Sequence, residues 1–250
     1  MTPFLFVTDL DNTLVGDRAA LETLNERLSR HRYDWGSKIV YATGRSLFLY
    51  RQLITEQPLL RPDALICSVG TAIYPDPQRE AIDSKWAQVL SQGWDRDTIV
   101  AIGGTYSELS PQPPSEQGDF KVSYYLPQDV ADKVIPQLES SLTEKGLEIQ
   151  IVYSGGHDLD ILPIQGNKGL AVQFLRKKWG FYRHNTVVCG DSGNDIALFS
   201  VEELRGIIVG NAMPELQQWY RDNSDRDLYF ARSRCSGGIL EGLQHFGFLT

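Results

Sequence analysis

FLFVTDLDNT, residues 4–13, is an apolar run that ends in two acids, Asp9 and Asp11. Side chains two positions apart point to the same side of a strand, so the two carboxylates are expected to share one face where the strand ends. At a separation of about 4 Å and an effective dielectric of ~20 they repel each other by about 4 kcal/mol, which a bound cation or a shared proton would relieve. The stretch therefore predicts a metal site; the alternative is a polar turn that caps the next helix.

The charge balance and the cysteines limit the partners and the compartment. The chain has 250 residues, a formal net charge of -8 and no cluster of Lys or Arg, which argues against nucleic acid or an anionic membrane as the main partner. Cys67, Cys189 and Cys235 are far apart in or near apolar runs, so we expect buried free thiols in a reducing compartment. No leader pattern and no run of ~18 apolar residues is present, so we expect a cytoplasmic protein.

Strand and helix patterns alternate over the two ends of the chain. Apolar runs at residues 38–42, 64–67 and 186–189 each end in polar residues, and side chains at helical spacing follow. Strands that alternate with helices form a parallel sheet, and the ligands of such sheets bind at the carboxyl ends of the strands. The sequence thus predicts an α/β fold with a Rossmann-like, doubly wound parallel-sheet core.

The middle of the chain has a different pattern. Two short helical stretches, a Pro-rich loop, two strands and one longer helix lie between Pro and Gly residues that mark both ends. This pattern indicates a smaller α/β cap domain inserted into the core. We predict a first core segment at residues 1–81, the cap at 82–157 and a second core segment at 158–250, with a short core strand at 159–162.

Four polar clusters end predicted strands or open the helices after them. They are Asp9/Asp11/Thr13, Thr43-Gly44-Arg45, Lys168 and Asp191/Asn194/Asp195. The carboxyl ends of parallel strands meet at one edge of a sheet, so we expect the clusters to lie together.

The acidic residues of these clusters can form an all-oxygen site for Mg²⁺. Such a site takes one or two carboxylates, a carbonyl and waters, and the sequence offers Asp9, Asp191 and the backbone carbonyl of Asp11. Asp195 and Asn194 could bind the ion directly or orient its ligands from a second shell. The sequence therefore predicts Mg²⁺ as the cofactor.

The remaining polar residues suit the binding of a phosphate group. A phosphate monoester next to Asp9 brings two further negative charges, which Lys168 would balance with a point charge. The Thr43 hydroxyl and the Gly44 N–H can donate to the same phosphoryl oxygens, and a glycine allows the backbone to approach closely.

In order and context the four clusters resemble the signature motifs of the haloacid dehalogenase superfamily of phosphotransferases. The resemblance implies that Asp9 is the nucleophile and forms an aspartyl-phosphate. It implies that Asp11 protonates the leaving sugar oxygen and then activates the hydrolytic water. An Asp at the second position fits phosphatases and mutases better than transport ATPases.

The segments DLDNT, YATGRS, SVGT and GDSGND, together with the cap strand at 120–124, are similar to bacterial sucrose-6-phosphate phosphatases along nearly the full length. The resemblance implies that Lys121 and Tyr124 contact the sugar from the cap and that Asp158 and Asp160 bind sugar hydroxyls near the hinge. Asn194, which lies in the core, is also expected to bind the substrate.

The resemblance implies Mg²⁺-dependent hydrolysis of sucrose-6-phosphate, the last step of sucrose synthesis. One position departs from the pattern of the family, because Ala72 stands where the family tends to place a Glu that binds the glucosyl ring. The alternatives are a phosphatase for another sugar phosphate, such as trehalose-6-phosphate or mannosylglycerate phosphate, a phosphomannomutase-like mutase, and a catalytically silent sugar-phosphate sensor. We expect a monomer, and association with an upstream sucrose-phosphate synthase is left open.

Overall fold

The computed structural model describes residues 2–201, 204–223 and 226–249. It divides the chain into two compact units, Met1–Ala81 with Lys168–Thr250, and Ile82–Asn167. The chain thus returns to the first unit at residue 168, not at residue 158 as predicted. The reason is the strand Asp158–Pro163, which pairs with two strands of the second unit and belongs to that sheet.

The strands in the described part of the chain are short, from two to six residues each. They are β1 (Leu5–Thr8), β2 (Lys38–Ala42), β3 (Ala64–Cys67), β4 (Ala72–Tyr74), β5 (Ser110–Pro111), β6 (Val122–Tyr125), β7 (Ile149–Ser154), β8 (Asp158–Pro163), β9 (Thr186–Gly190), β10 (Arg205–Ile208) and β11 (Leu228–Phe230).

The helices alternate with the strands. They are α1 (Arg18–Trp35), α2 (Leu47–Glu56), α3 (Ser84–Leu90), α4 (Arg96–Gly103), α5 (Gln128–Thr143), α6 (Lys168–Trp179), α7 (Ile196–Ser200), α8 (Pro214–Asp222) and α9 (Cys235–His245). None of the helices in the described ranges has the length and apolar character needed to cross a lipid bilayer.

The helix α1 shows how the local sequence sets an element. The side chain of Asp17 accepts the backbone N–H of Ala20 in the first turn and so caps the helix. Leu21, Leu24 and Leu28 recur at helical spacing and are buried. Gly36 ends the helix with a φ of 77°, a conformation that glycine adopts without steric cost.

The sheet of the first unit has the order β11-β10-β9-β1-β2-β3-β4 within the described residues. All neighbouring strands are parallel except β3 and β4. The central strand β1 is buried along its whole length, as expected of a strand covered on both faces. Thr8 at its end pairs with Tyr41 on one side and Cys189 on the other. The predicted α/β core is confirmed, and the loops after β1, β2 and β9 leave the sheet at the same edge.

The antiparallel strand β4 was not predicted. It follows a tight turn at Ser68 and Val69, whose φ angles of 49° and 61° lie in the left-handed region. Three residues before Pro75 are too few to show an alternating pattern. The described cysteines Cys67, Cys189 and Cys235 are buried free thiols, as the sequence predicted.

The sheet of the second unit has the order β5-β6-β8-β7 and is antiparallel throughout the described strands. Its strands alternate, so one face carries apolar side chains that form a core with α4 and α5, including Val122, Leu159 and Ile161. Ser123 pairs with Asp160 in the register of β6 and β8, and both belong to the opposite face.

Candidate active site

Asp9 follows the central strand directly and is only 5% exposed. Its N–H donates to the carbonyl of Cys189 at 3.0 Å, which fixes the backbone at the strand end. Its Oδ1 accepts a hydrogen bond from Lys168 Nζ at 2.8 Å. Burial raises the pKa of the Asp9 carboxyl well above its usual range, and the carboxylates of Asp195 and Asp191 add to the rise although Lys168 opposes it.

Lys168 is the first residue of α6 and is completely buried. Its Nζ donates to Asp9 Oδ1 at 2.8 Å, to Asn194 Oδ1 at 2.7 Å and to Asp195 Oδ1 at 2.7 Å. Burial alone would lower the pKa of Lys168, but the neighbouring carboxylates of Asp195 and Asp9 outweigh it and raise the pKa. All three ammonium protons are therefore satisfied and the group stays charged.

The position of Lys168 depends on a close contact between two helices. A Cβ atom at Gly169 would lie 2.0 Å from the backbone oxygen of Ala197 in α7. Only a glycine lets α6 approach α7 this closely, and this approach brings the start of α6 next to the loop that carries Asn194 and Asp195.

Asp191 and Thr13 join two loops that are far apart in sequence. The Thr13 hydroxyl donates to Asp191 Oδ1 at 2.7 Å, across 178 positions of the chain. Burial raises the pKa of Asp191 to about 6, partly offset by the hydrogen bond from Thr13, while the nearby Asp195 raises it further. The two loops after β1 and β9 thus share one carboxylate at their junction.

Asp195 organises the loop between β9 and α7. Its Oδ2 accepts the backbone N–H groups of Asp191 at 3.0 Å and Ser192 at 3.2 Å, while its Oδ1 accepts from Lys168. A Cβ at Gly190 would lie 2.5 Å from Asp195 Cβ, so the glycine makes room for this carboxylate. Both oxygens of Asp195 are therefore engaged in holding the loop and the ammonium.

The carboxylates of Asp9, Asp191 and Asp195 form a cluster that fits a divalent cation. One ligand oxygen from each lies within 4.8 Å of the others, and all three residues are buried. Lys168 donates to Asp9 and Asp195, so the three carboxylates and this ammonium together carry an excess of two negative charges. A donor set made only of oxygens suits a hard cation. The cluster includes Asp195, for which the sequence left open direct binding of the ion or orientation of its ligands.

Asp11 points its side chain to Arg45. The guanidinium donates from Nε to Oδ2 at 2.8 Å and from Nη2 to Oδ1 at 2.7 Å, a bidentate pair. The hydrogen bonds to Asp11 raise the pKa of Arg45. Side-chain exposures of 45% for Asp11 and 29% for Arg45 leave the pair open to a ligand. The predicted metal contact of Asp11 concerns its backbone carbonyl and remains a prediction.

Thr43 and Gly44 follow β2. The Thr43 hydroxyl oxygen accepts the N–H of Arg45 at 3.1 Å, and Thr43 is fully buried. A Cβ at Gly44 would meet only the side-chain nitrogen of Asn194, at 4.0 Å. The loop at Gly44 is therefore close to the loop that carries Asn194, as the sequence predicted for the four clusters.

The second unit holds three of the four residues predicted to bind the sugar, one from the predicted cap and two from the predicted hinge, on one polar face. Lys121 Nζ lies 3.3 Å from Asp160 Oδ1, and this oxygen also accepts from the Ser123 hydroxyl at 2.6 Å. Asp158 Oδ1 accepts from Gln112 Nε2 at 2.9 Å. Lys121 is 5% exposed, so it is not a solvent-facing lysine.

The structure contradicts the grouping of Tyr124 with these residues. Its ring belongs to the apolar core of the second unit and is 4% exposed. A Cβ at Gly103 would lie 2.3 Å from the Tyr124 hydroxyl oxygen, so the ring packs tightly against α4. The reason is the alternation of β6, which sends neighbouring side chains to opposite faces.

Three residues of the two units were missed by the sequence analysis. Arg45 stands in the quoted TGR segment but had no role, and Gln112 lies in a Pro-rich loop that gave no signal. Asn211 donates from Nδ2 to the carbonyl of Asn12 at 2.7 Å and accepts from the N–H of Cys235 at 2.9 Å. Its amide holds the loop between Asp11 and Thr13, a role that only the three-dimensional structure could indicate.

A parallel αβ core with this cluster of acids around a buried lysine, together with an inserted α/β unit, defines a haloacid dehalogenase-like fold. Solved structures of this superfamily with sequence identities below 25% share the fold. The chain belongs to the sucrose-6F-phosphate phosphohydrolase family, whose model matches residues 2–247. The resemblance drawn from the motifs is thereby confirmed.

Three relatives illustrate the similarity. The sucrose-phosphatase of Synechocystis sp. PCC6803, solved in complex with sucrose and phosphate, is 43% identical, has a TM-score of 0.86 and matches over 99% of both chains. Sucrose-phosphatase 1 of Nicotiana tabacum is 40% identical over 97% of this chain. Mannosylfructose-phosphate phosphatase of Agrobacterium fabrum is 32% identical over 97% of this chain and 96% of its own. The chain spans 59% of the length of the plant relatives.

Proposed function

We propose that the chain is a phosphatase that hydrolyses sucrose-6-phosphate to sucrose and phosphate with Mg²⁺ as cofactor. The observation that carries the proposal is the buried Asp9 carboxylate, which lies 2.8 Å from the Lys168 ammonium inside a cluster of three acids. Membership in the sucrose-6F-phosphate phosphohydrolase family supports the substrate. The Synechocystis relative, solved with sucrose and phosphate, supports it further.

In the first step, a carboxylate oxygen of Asp9 attacks the phosphorus atom of the substrate. A bond forms between Asp9 and phosphorus, and the bond between phosphorus and the sugar oxygen breaks. The electron pair of that bond stays on the sugar oxygen, which takes a proton from Asp11 and leaves as sucrose. Lys168 stays hydrogen-bonded to Asp9, and its positive charge balances negative charge of the phosphoryl group during the transfer.

In the second step, a water molecule attacks the phosphorus atom of the aspartyl-phosphate. Asp11 accepts a proton from the water, the bond between Asp9 and phosphorus breaks, and phosphate leaves. The Asp9 carboxylate and the protonated Asp11 are regenerated. The Thr43 hydroxyl and the Gly44 N–H donate to the phosphoryl oxygens in both steps.

Asp9 and Asp191 would hold the magnesium ion, with the carbonyl of Asp11 completing the set from the protein. When bound, the ion supplies positive charge against the phosphoryl oxygens. Asp195, with both oxygens engaged by N–H groups and by Lys168, orients the loop that carries Asp191. Burial is the main cause of the raised pKa values of Asp9 and Asp191, and the negative charge of the neighbouring carboxylates adds to it.

Mg²⁺ is expected to stabilise the protein more strongly as the pH rises from about 5 to about 8. The folded-state pKa of Asp191 is raised from 3.8 to about 6. Without metal, the stability contributed by this carboxyl is present below its unfolded pKa and is lost as the pH rises through the folded value. Mg²⁺ binds the deprotonated form and reverses the loss. Thermal melts with and without Mg²⁺ across this range measure the effect.

The control for this measurement is Asp191→Asn. The variant should lose most of the stabilisation by Mg²⁺, since an amide is a weaker ligand than a carboxylate for this cation. A stabilisation that stays constant between pH 5 and 8, or that survives in the variant, would count against a metal site at Asp191.

The polar face of the second unit is the proposed source of sugar recognition. Lys121, Asp158 and Asp160 are partly or fully buried polar groups with defined partners, which suits hydrogen bonding to sugar hydroxyls. Tyr124 is left out of this set because its ring packs in the core.

A second candidate is a phosphatase for a related disaccharide phosphate. The Agrobacterium relative, a mannosylfructose-phosphate phosphatase, matches nearly its whole length. Ala72, at the position where the resemblance implies a Glu, opens the short strand β4. The smaller side chain removes one acidic contact that would favour a glucosyl ring.

Phosphate release across a panel of sugar phosphates separates the two candidates. We expect sucrose-6-phosphate to be preferred by about a hundredfold or more over glucose-6-phosphate and trehalose-6-phosphate, because unpaired polar groups in the site penalise the wrong sugar. A preference for mannosylfructose phosphate would select the second candidate. Activity that requires a sugar bisphosphate and releases little phosphate would indicate a mutase, and tight binding without turnover would indicate a sensor.

A further inference from the structure

The bidentate pair of Arg45 and Asp11 occupies both oxygens of the proposed acid and base. The two donor-acceptor distances are 2.8 and 2.7 Å, and the two N–H groups of the guanidinium fork fix the plane of the carboxyl group. Asp11 lies in a loop next to Asn12, whose φ of 56° is in the left-handed region. Arg45 is therefore the side chain that defines where the Asp11 carboxyl group points.

The backbone of Arg45 is itself held by a strained turn. The N–H of Ser68 donates to the carbonyl of Arg45 at 2.9 Å, and the N–H of Val69 donates to the carbonyl of Thr43 at 3.2 Å. The left-handed φ angles of Ser68 and Val69 aim two successive N–H groups at this loop, a conformation that is strained for a β-branched residue such as valine. The turn after β3 thus holds the TGR loop beside Asp11.

We propose that Arg45 is a positioning residue that aims the Asp11 carboxyl group at the leaving oxygen, an inference that rests on the proposed phosphatase function. The fork holds the group in one orientation before the substrate binds. One of its two hydrogen bonds has to open at the oxygen that carries the proton, and it re-forms once Asp11 has delivered that proton to the leaving oxygen. In this role Arg45 contacts neither the phosphate nor the metal.

The proposal predicts a selective loss on substrates with poor leaving groups. A sugar oxygen needs a proton as it leaves, whereas 4-nitrophenolate leaves without one. For Arg45→Met we expect kcat/KM on sucrose-6-phosphate to fall by about 30-fold or more, part of the ~10²–10⁴ that a general acid contributes. On 4-nitrophenyl phosphate we expect a change of less than about threefold. Arg45→Lys replaces the bidentate contact with a single charged donor. Its kcat/KM on sucrose-6-phosphate should therefore lie between those of the wild type and Arg45→Met.

Two further variants make the test specific. In an Asp11→Asn background, Arg45→Met should leave kcat/KM on sucrose-6-phosphate unchanged within about twofold, because the group that it positions is already gone. The matched control is Arg51→Met, which removes an arginine of similar exposure that pairs with Glu80 at 2.6 Å. This control should keep the wild-type ratio between the two substrates.

The outcomes distinguish a failure of the positioning role of Arg45 from a failure of the proposed phosphatase function. Equal losses on both substrates in Arg45→Met would overturn the positioning role, and so would a loss that persists in the Asp11→Asn background, which would indicate direct contact with the substrate. A wild-type protein that hydrolyses neither sucrose-6-phosphate nor glucose-6-phosphate would overturn the proposed function and this inference with it. An active wild type with an unchanged ratio in Arg45→Met would overturn the inference alone.

Discussion

Asp9→Asn is expected to abolish phosphate release, with kcat/KM lower by about four to six orders of magnitude, as for the loss of a nucleophile in other covalent enzymes. The amide is a poor nucleophile and cannot form the aspartyl-phosphate. Phosphate release from sucrose-6-phosphate measures the loss. Rapid acid quenching with a radiolabelled substrate measures the covalent intermediate, which should be trapped on the wild type and be absent from the variant.

The fold of Asp9→Asn should remain intact. The amide oxygen can still accept the hydrogen bond from Lys168, which spans 2.8 Å in the wild type. The substitution also removes a negative charge that is buried beside Asp195 and Asp191. Burial is the main cause of the raised pKa of Asp9, and these two carboxylates add to it. The melting temperature without metal at pH 8 should therefore be equal to that of the wild type or higher. Activity comparable to the wild type would rule out the covalent mechanism.

Asp195→Asn is expected to destabilise the protein, in contrast to Asp9→Asn. The carboxylate is fully buried and accepts from two backbone N–H groups and from Lys168. An asparagine has one acceptor oxygen, so its NH₂ group would face a donor. Unsatisfied buried groups cost about 1–3 kcal/mol each, so we expect a loss of roughly 2–4 kcal/mol in the free energy of unfolding. Urea unfolding measures it.

The control for this second substitution is Asp227→Asn. Asp227 pairs with Arg205 at 3.3 Å and its side chain is 62% exposed, so we expect less than about 1 kcal/mol from its loss. Equal stability of the Asp195 and Asp227 variants would show that Asp195 does not organise the loop. Activity of Asp195→Asn should also fall, because Asp191 and Lys168 lose the group that orients them.

The core could be predicted from the sequence because its signals are local. Each buried parallel strand is a short apolar run that ends in polar residues, as in residues 38–42 and 186–189, and each helix that follows has its own spacing and caps. The strand at 158–163 was predicted for the core sheet, which is wrong. An apolar run indicates a strand but not the neighbouring strand with which it pairs. Its hydrogen bonds to β6 and β7 decide that question.

The site could be predicted in part, for a related reason. The acids and Lys168 stand at strand ends and helix starts, where the fold class places ligands. The partners of these groups could not be predicted. The contact between Asp11 and Arg45 spans 34 positions, and the amide of Asn211 acts on a loop 199 positions away. The predicted sugar contact of Tyr124 was wrong because the resemblance gave the position of the residue in the strand but not the face to which its side chain points.

The contact between Lys168 and Asp9 joins residues 159 positions apart, and the contact between Thr13 and Asp191 joins residues 178 positions apart. Contacts between distant parts of a chain form slowly, because loop closure must precede them. A refolding chain can therefore form β1 with its two acids long before β9 and α6 arrive beside it. During refolding, the recovery of enzymatic activity should lag behind the recovery of helical circular dichroism.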